Sequence, residues 1–144
     1  MRLRCISALL FLSAVVPASA EKRIIQPKEF APGGPFNPAV LVDGTLYVSG
    51  QIGRDLKTQK VPENFEAEVR QVLDNIGIIL REAKMDYADV VSVQVYLTDM
   101  SLFQRMNGIY TTYFKTDRPS RTTVGVSKLA APEAHIEITV TAHH

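Results

Sequence analysis

Two side chains near the C-terminal end of this sequence are the best suited to do chemistry. Arg121 and Glu137 lie in the stretch Arg118 to Thr141, RPSRTTVGVSKLAAPEAHIEITVT. An arginine fork grips a carboxylate through two parallel charge-assisted hydrogen bonds, a geometry lysine cannot supply. A carboxyl group beside it can orient a water or move a proton, worth ~10²–10⁴-fold when well placed. On spacing alone the same two residues read more readily as an ordinary cross-strand ion pair at a subunit interface.

The elements that must position them are legible from periodicity. Arg121 to Val126 alternates, with Arg121, Thr123 and Gly125 on one side and Thr122, Val124 and Val126 on the other. His135 to Thr141 alternates more cleanly, with Ile136, Ile138 and Val140 opposite His135, Glu137, Thr139 and Thr141. A period of two with one apolar side is a half-buried strand. Upstream, Phe65, Val69, Val72, Leu73, Ile76, Ile79, Leu80 and Ala83 form one apolar stripe, which predicts a helix of about five turns. Glu63, Glu66 and Glu68 near its start suit the helix dipole. Gly77 inside it points to close packing at that turn. VVSVQVYL, residues 90–97, predicts a strand with Val91, Val93, Val95 and Leu97 on one face. Ser101 and Gln104 have capping-box spacing for a second helix that buries Phe103, Met106, Tyr110 and Phe114, with Asn107 beside that stripe.

Before the first helix, Asp43-Gly44 is a two-residue hairpin signal between Leu41-Val42 and Leu46 to Val48. Gly50 closes the second of these strands, where a glycine lets a ligand or another chain segment come near. Residues 21–42 read as a loop crowded with Pro and Gly, constrained enough to hold Phe36 in a defined place. Two amphipathic helices need one sheet face to cover, so the fold class is α+β: one mixed β-sheet covered on one face by two α-helices. The other face is expected to carry Arg121, Thr123, His135, Glu137 and Thr139. A sheet face this polar and this ordered predicts an oligomer with pockets between chains.

Residues 1–20 have the layout of a secretory leader, which leaves residues 21–144 as the domain. Arg2 and Arg4 precede a twelve-residue apolar run, Cys5 to Val16, and Ala18-Ser19-Ala20 is an A-x-A cleavage site. Twelve residues span only ~18 Å as helix, against the ~30 Å apolar core of a bilayer. The mature chain is therefore expected to be periplasmic or secreted and free of the membrane. The sole cysteine, Cys5, leaves with the leader, which excludes a disulfide, a thiolate nucleophile and a cysteine metal site. Lys and Arg fall from 16 to 14 against 15 Asp and Glu, so a formal +1 becomes −1. With no basic stripe, the composition argues against a nucleic-acid partner. His135 reads as a solvent-facing strand residue rather than a metal ligand.

Taken together, GGPFNPAV at 33–40, YVSGQI at 47–52, DN at 74–75, VQVYLTD at 93–99, NGIYTTYF at 107–114, RPSRTTVGVSKL at 118–129 and IEI at 136–138 carry a resemblance. The chain resembles the reactive intermediate deaminase family, also called RidA, YjgF or L-PSP, over nearly all of residues 21–144. The resemblance implies a YjgF-like, chorismate-mutase-like homotrimer with three clefts between subunits. It implies hydrolysis of enamines and imines derived from amino acids, such as 2-aminoacrylate, to 2-keto acids and ammonia, with no metal or organic cofactor. It assigns the substrate-binding arginine to Arg121, the acid of the last strand to Glu137, and further contacts to Phe36, Gly50, Asn107 and Thr123. Phe36 stands where many members have tyrosine and Thr123 where many have cysteine, so a hydroxyl contact and any thiol property are lost.

Three other readings of this fold are a small-carboxylate-binding module without turnover, an endoribonuclease and a chaperone-like interaction protein. The charge argues against the second, and the third lacks an exposed apolar stripe. An exported deaminase also needs a local source of imines, such as an amino-acid oxidase or dehydrogenase acting in the same compartment.

Overall fold

The computed structural model describes residues 21–144, and the expected leader over 1–20 lies outside them. The element that builds the core is helix α1, Phe65–Glu82. Asn64 caps it, its side chain accepting from the Ala67 N–H at 2.9 Å. All eight residues of the predicted apolar stripe are buried. Gly77 is buried too, packed beneath the Tyr87 ring so closely that a Cβ would strike the phenol oxygen. That hydroxyl donates to the Leu73 carbonyl at 2.7 Å.

One mixed sheet lies under α1 and under a second helix, α2, Phe103–Tyr113. Its strands are β1 (Arg23–Ile25), β2 (Ala39–Val42), β3 (Thr45–Val48), β4 (Gln51–Ile52), β5 (Val90–Leu97), β6 (Ser120–Gly125) and β7 (Ile136–His143). Their spatial order is β1-β2-β3-β7-β5-β6, with β4 also paired to β7. The β2–β3 turn is the expected one. Asp43 and Gly44 have φ of 46° and 72°, the doubly left-handed turn that matches strand twist. The α+β architecture expected from the sequence is the one observed. Among the described residues no helix is long and apolar enough to cross a membrane.

Several local expectations change. The Pro-rich segment contains a strand, β1, paired antiparallel with β2. In β5, a bulge between Val90 and Ser92 turns Val91 outward, while Val90, Val93, Val95 and Leu97 are buried. The cap before α2 comes from Asp99, which accepts from the Ser101 N–H at 2.8 Å and starts a 3-10 turn over Met100–Leu102. Ser101 does not cap, and α2 begins at Phe103 without a side-chain cap.

The change that matters for chemistry is the placement of β6. It runs parallel to β5 at the sheet edge, and β5 separates it from β7. Arg121 and Thr123 stand opposite Val93 and Val95, whose side chains face the helices. Glu137 stands opposite Tyr96, on the uncovered face with Thr139 and Thr141. Arg121 and Thr123 are thus not on the open face with Glu137, as the sequence had implied. The outward residues of β6 are Thr122 and Val124.

Candidate functional site

On the uncovered side, Glu137 lies in a cavity of about 670 Å³. Phe36, Ser49, Gly50, Ile52 and Arg54 line it with Glu137. Each wall is fixed by an identifiable contact. Ser49 donates from its backbone N–H to Pro38 O at 3.0 Å and from its hydroxyl to Asn37 O at 2.7 Å. These bonds pin the Pro-rich loop, and Phe36 stands at its tip with 66% of its surface exposed. Thr139 donates to Val48 O at 2.5 Å, tying β7 to the end of β3. Asn75 on α1 is buried and donates to the carbonyls of Ile52 and Arg54 at 3.2 and 2.9 Å, while Gln71 donates to its amide oxygen. Arg54 then reaches Glu133 at 2.5 Å across the rim.

The Glu137 carboxyl rests against the Cα of Gly50. A Cβ there would fall 2.9 Å from Glu137 Cδ and 3.3 Å from Cγ, and closer still to the carboxylate oxygen. Gly50 therefore acts as the seat of the acid. Burial raises the Glu137 carboxyl above its ordinary 4.5. Among the described residues no hydrogen bond or cation claims it. A partly desolvated carboxyl without a partner is suited to hold and release a proton.

Glu68 is a site-shaping residue that the sequence reading placed at the helix dipole. It is fully buried, not solvated, and reaches from α1 to the start of β7. The backbone N–H groups of His135 and Ile136 donate to its Oε1 at 2.7 and 3.3 Å, and His135 Nδ1 lies 2.9 Å from Oε2. His135 is half exposed, but it is an anchored residue just before β7 rather than a free strand position. Its Glu68 bonds fix the chain two residues before Glu137. The signal in the sequence was an acid at position i+3 from Phe65 and one short of Val69, inside the edge of the apolar stripe.

Arg121 belongs to the other side of the sheet. Its guanidinium lies under α2, 4.5 Å from the Tyr110 ring centroid and 5.7 Å from that of Phe103. Its Nη1 is 4.0 Å from Met106 Sδ. Among the described residues it has no carboxylate partner. Two buried oxygens on the same side of the sheet, Tyr110 Oη and Thr123 Oγ1, also lack hydrogen-bond partners among the described residues. Asn107 follows Met106 on α2 and is half-buried, and among the described residues its side chain makes no hydrogen bond.

The six residues singled out from the sequence thus fall into two half-sites. Phe36, Gly50 and Glu137 share the cavity, whereas Arg121, Asn107 and Thr123 share the α2 edge. Two strand spacings, roughly 10 Å, separate the strands of Arg121 and Glu137, and the sheet lies between their side chains. Within one chain they cannot act on one small molecule. No group of three His, Cys, Asp or Glu among the described residues could hold a metal ion.

The chain matches the family described as endoribonuclease L-PSP over residues 26–144. The human 2-iminobutanoate/2-iminopropanoate deaminase is 42% identical over 115 residues, covering 78% of this chain and 83% of that protein. YyfA of Yersinia pestis, from the conserved Rid protein family, matches with a TM-score of 0.80 at 35% identity, over 86% of this chain and 100% of that one. TdcF of E. coli, with bound serine, matches with a TM-score of 0.79 at 28% identity, over 85% of this chain and 98% of that one.

Proposed function

This chain belongs to the endoribonuclease L-PSP family, whose members include Rid proteins and named imine deaminases, and from that premise we propose that it hydrolyses 2-imino acids. Their enamine tautomers, such as 2-aminoacrylate, are substrates too, and the products are a 2-keto acid and ammonia. Copies of the chain assemble as a homotrimer, so that Arg121 of one copy and Glu137 of its neighbour face a common cleft. The observation that carries this reading is the division of the site. Among the described residues Arg121 is a guanidinium with no carboxylate partner and Glu137 an acid with no cation, and they lie on opposite faces of one sheet.

The chemistry follows from those roles. Arg121 binds the substrate carboxylate through two parallel bonds, each worth ~1.5–3 kcal/mol as a charge-assisted contact. Protonated Glu137 delivers its proton to the enamine β-carbon, giving the iminium form of the imine. The resulting carboxylate orients a water and takes its proton as oxygen attacks the C=N carbon. Glu137 passes that proton to nitrogen and takes the hydroxyl proton as the C–N bond breaks, so ammonia leaves, the keto acid remains and the acid is restored. Gly50 seats the acid, Phe36 covers the mouth, and Asn107 and Thr123 flank the arginine. The leader expected over residues 1–20 would place this reaction outside the cytoplasm.

The test is keto-acid release from imines generated freshly by an amino-acid oxidase, with decay in buffer as reference. Wild type is expected to accelerate release and Arg121→Ala to fall to the buffer rate. Undiminished turnover by Arg121→Ala overturns the assignment. Tight pyruvate binding without acceleration by wild type would make the chain a carboxylate-binding module instead.

A further inference from the structure

The guanidinium of Arg121 is unusual in what holds it. It occupies the sheet row of Val93 and Val140, on the side covered by helices, yet no carboxylate among the described residues balances it. Its closest aromatic neighbour is the face of Tyr110, 4.5 Å from centroid to Cζ, inside the range where a ring attracts a cation. Tyr110 is itself buried, with 3% of its surface exposed. Its ring stacks on Phe114 at 4.5 Å and a 30° tilt. Phe114 meets the edge of Tyr87 at 5.6 Å, and Tyr87 is tied to α1 by its hydroxyl bond to Leu73 O. A continuous row of rings thus runs from the core helix to the arginine. Arg118 adds a second positive charge nearby, its Nε donating to Phe114 O at 3.0 Å.

We propose that Tyr110 is a positioning residue for the Arg121 fork, its ring face holding the guanidinium in place, desolvated on one side and ready for an incoming carboxylate. The inference rests on the reading of Arg121 as the carboxylate site. It separates the ring from the hydroxyl. Among the described residues Tyr110 Oη has no hydrogen-bond partner. Burial raises the phenol's pKa while the Arg121 charge lowers it, so the hydroxyl feels the cation. The ring face makes the close contact, and replacing Tyr110 by Phe separates the two. A carboxylate supplied by the host chain would do the same holding but would compete with the ligand. A π face attracts the cation without taking any of its N–H groups, so that apart from the long contact of Nη1 with Met106 Sδ they are left for the substrate.

The experiment uses the full chain and pyruvate as the probe, read by calorimetry, alongside KM and kcat for oxidase-generated imines. Tyr110→Phe keeps the face and should hold pyruvate affinity and KM within about twofold of wild type. Tyr110→Leu removes it and should weaken pyruvate binding and raise KM about tenfold, with kcat little changed. A second measurement does not depend on the leucine variant folding. The Arg121 Nε–H proton resonance should be displaced upfield by the ring in wild type and in Tyr110→Phe alike. Pyruvate affinity unchanged in Tyr110→Leu, an equal loss in Tyr110→Phe, or an Arg121 signal at its free-peptide position would each overturn the inference. Pyruvate binding that follows the ring while no imine is turned over would leave the inference standing and remove the deaminase reading.

Discussion

Replacing Gly50 by alanine tests the seat of the acid with a single methyl group. The backbone at Gly50 does not adopt the left-handed conformation that side chains avoid, so alanine brings no intrinsic strain. The new Cβ would lie 2.9 Å from Glu137 Cδ, well inside ordinary contact of ~3.5–4.0 Å. What yields is the far end of a flexible side chain, and the carboxyl must retreat by roughly 1 Å. A misplacement of that size can cost about 10²-fold in rate. Gly50→Ala should therefore lose about two orders of magnitude in kcat/KM for imine hydrolysis while its Tm moves by only a few degrees. The assay is keto-acid release with the melting curve measured in parallel. Activity within threefold of wild type would show that Glu137 need not occupy this position, and would refute the assignment of the acid.

Other perturbations separate the remaining roles. Arg121→Lys keeps the charge but loses the fork, and kcat/KM should fall about tenfold or more, mostly through KM, in steady-state kinetics. Because burial raises Glu137 above 4.5, the folded chain binds its proton more tightly than the unfolded chain does. This carboxyl should then cost stability as pH climbs from the ordinary carboxylate value through the raised one. Glu137→Gln should abolish that decline when melting curves are compared across the window. Glu68→Ala leaves two backbone N–H groups and His135 without their acceptor and should cost about 2–4 kcal/mol in urea unfolding.

Legibility in the sequence followed how strongly one principle dominated locally. The α1 stripe and the alternation of β7 each had one apolar side buried against one partner, so periodicity located them. The Asp43-Gly44 turn was legible because its backbone demands those residue types. The inward face of β6 was not, because Thr122, Val124 and Val126 look more apolar than Arg121 and Thr123. Its orientation is decided by parallel registration with β5 after the α2 crossover, a long-range fact that alternation cannot encode. The strand order hid for the same reason, since β6 and β7 adjoin in sequence yet sit on either side of β5. Glu68 was missed because an acid in the first turn of a helix already has a surface explanation. Only the fold shows that the chain entering β7, at His135 and Ile136, presents two N–H groups to it.

The intervening sheet has a genetic corollary. In the proposed trimer, a chain lacking only its fork and a chain lacking only its acid are each inert, yet each carries what the other has lost. Co-assembled at random from equal amounts, every mixed particle regains one intact cleft, roughly a quarter of all clefts by symmetry. Two null alleles of this kind would complement each other when expressed together. A protein whose machinery closes within a single chain shows no such rescue.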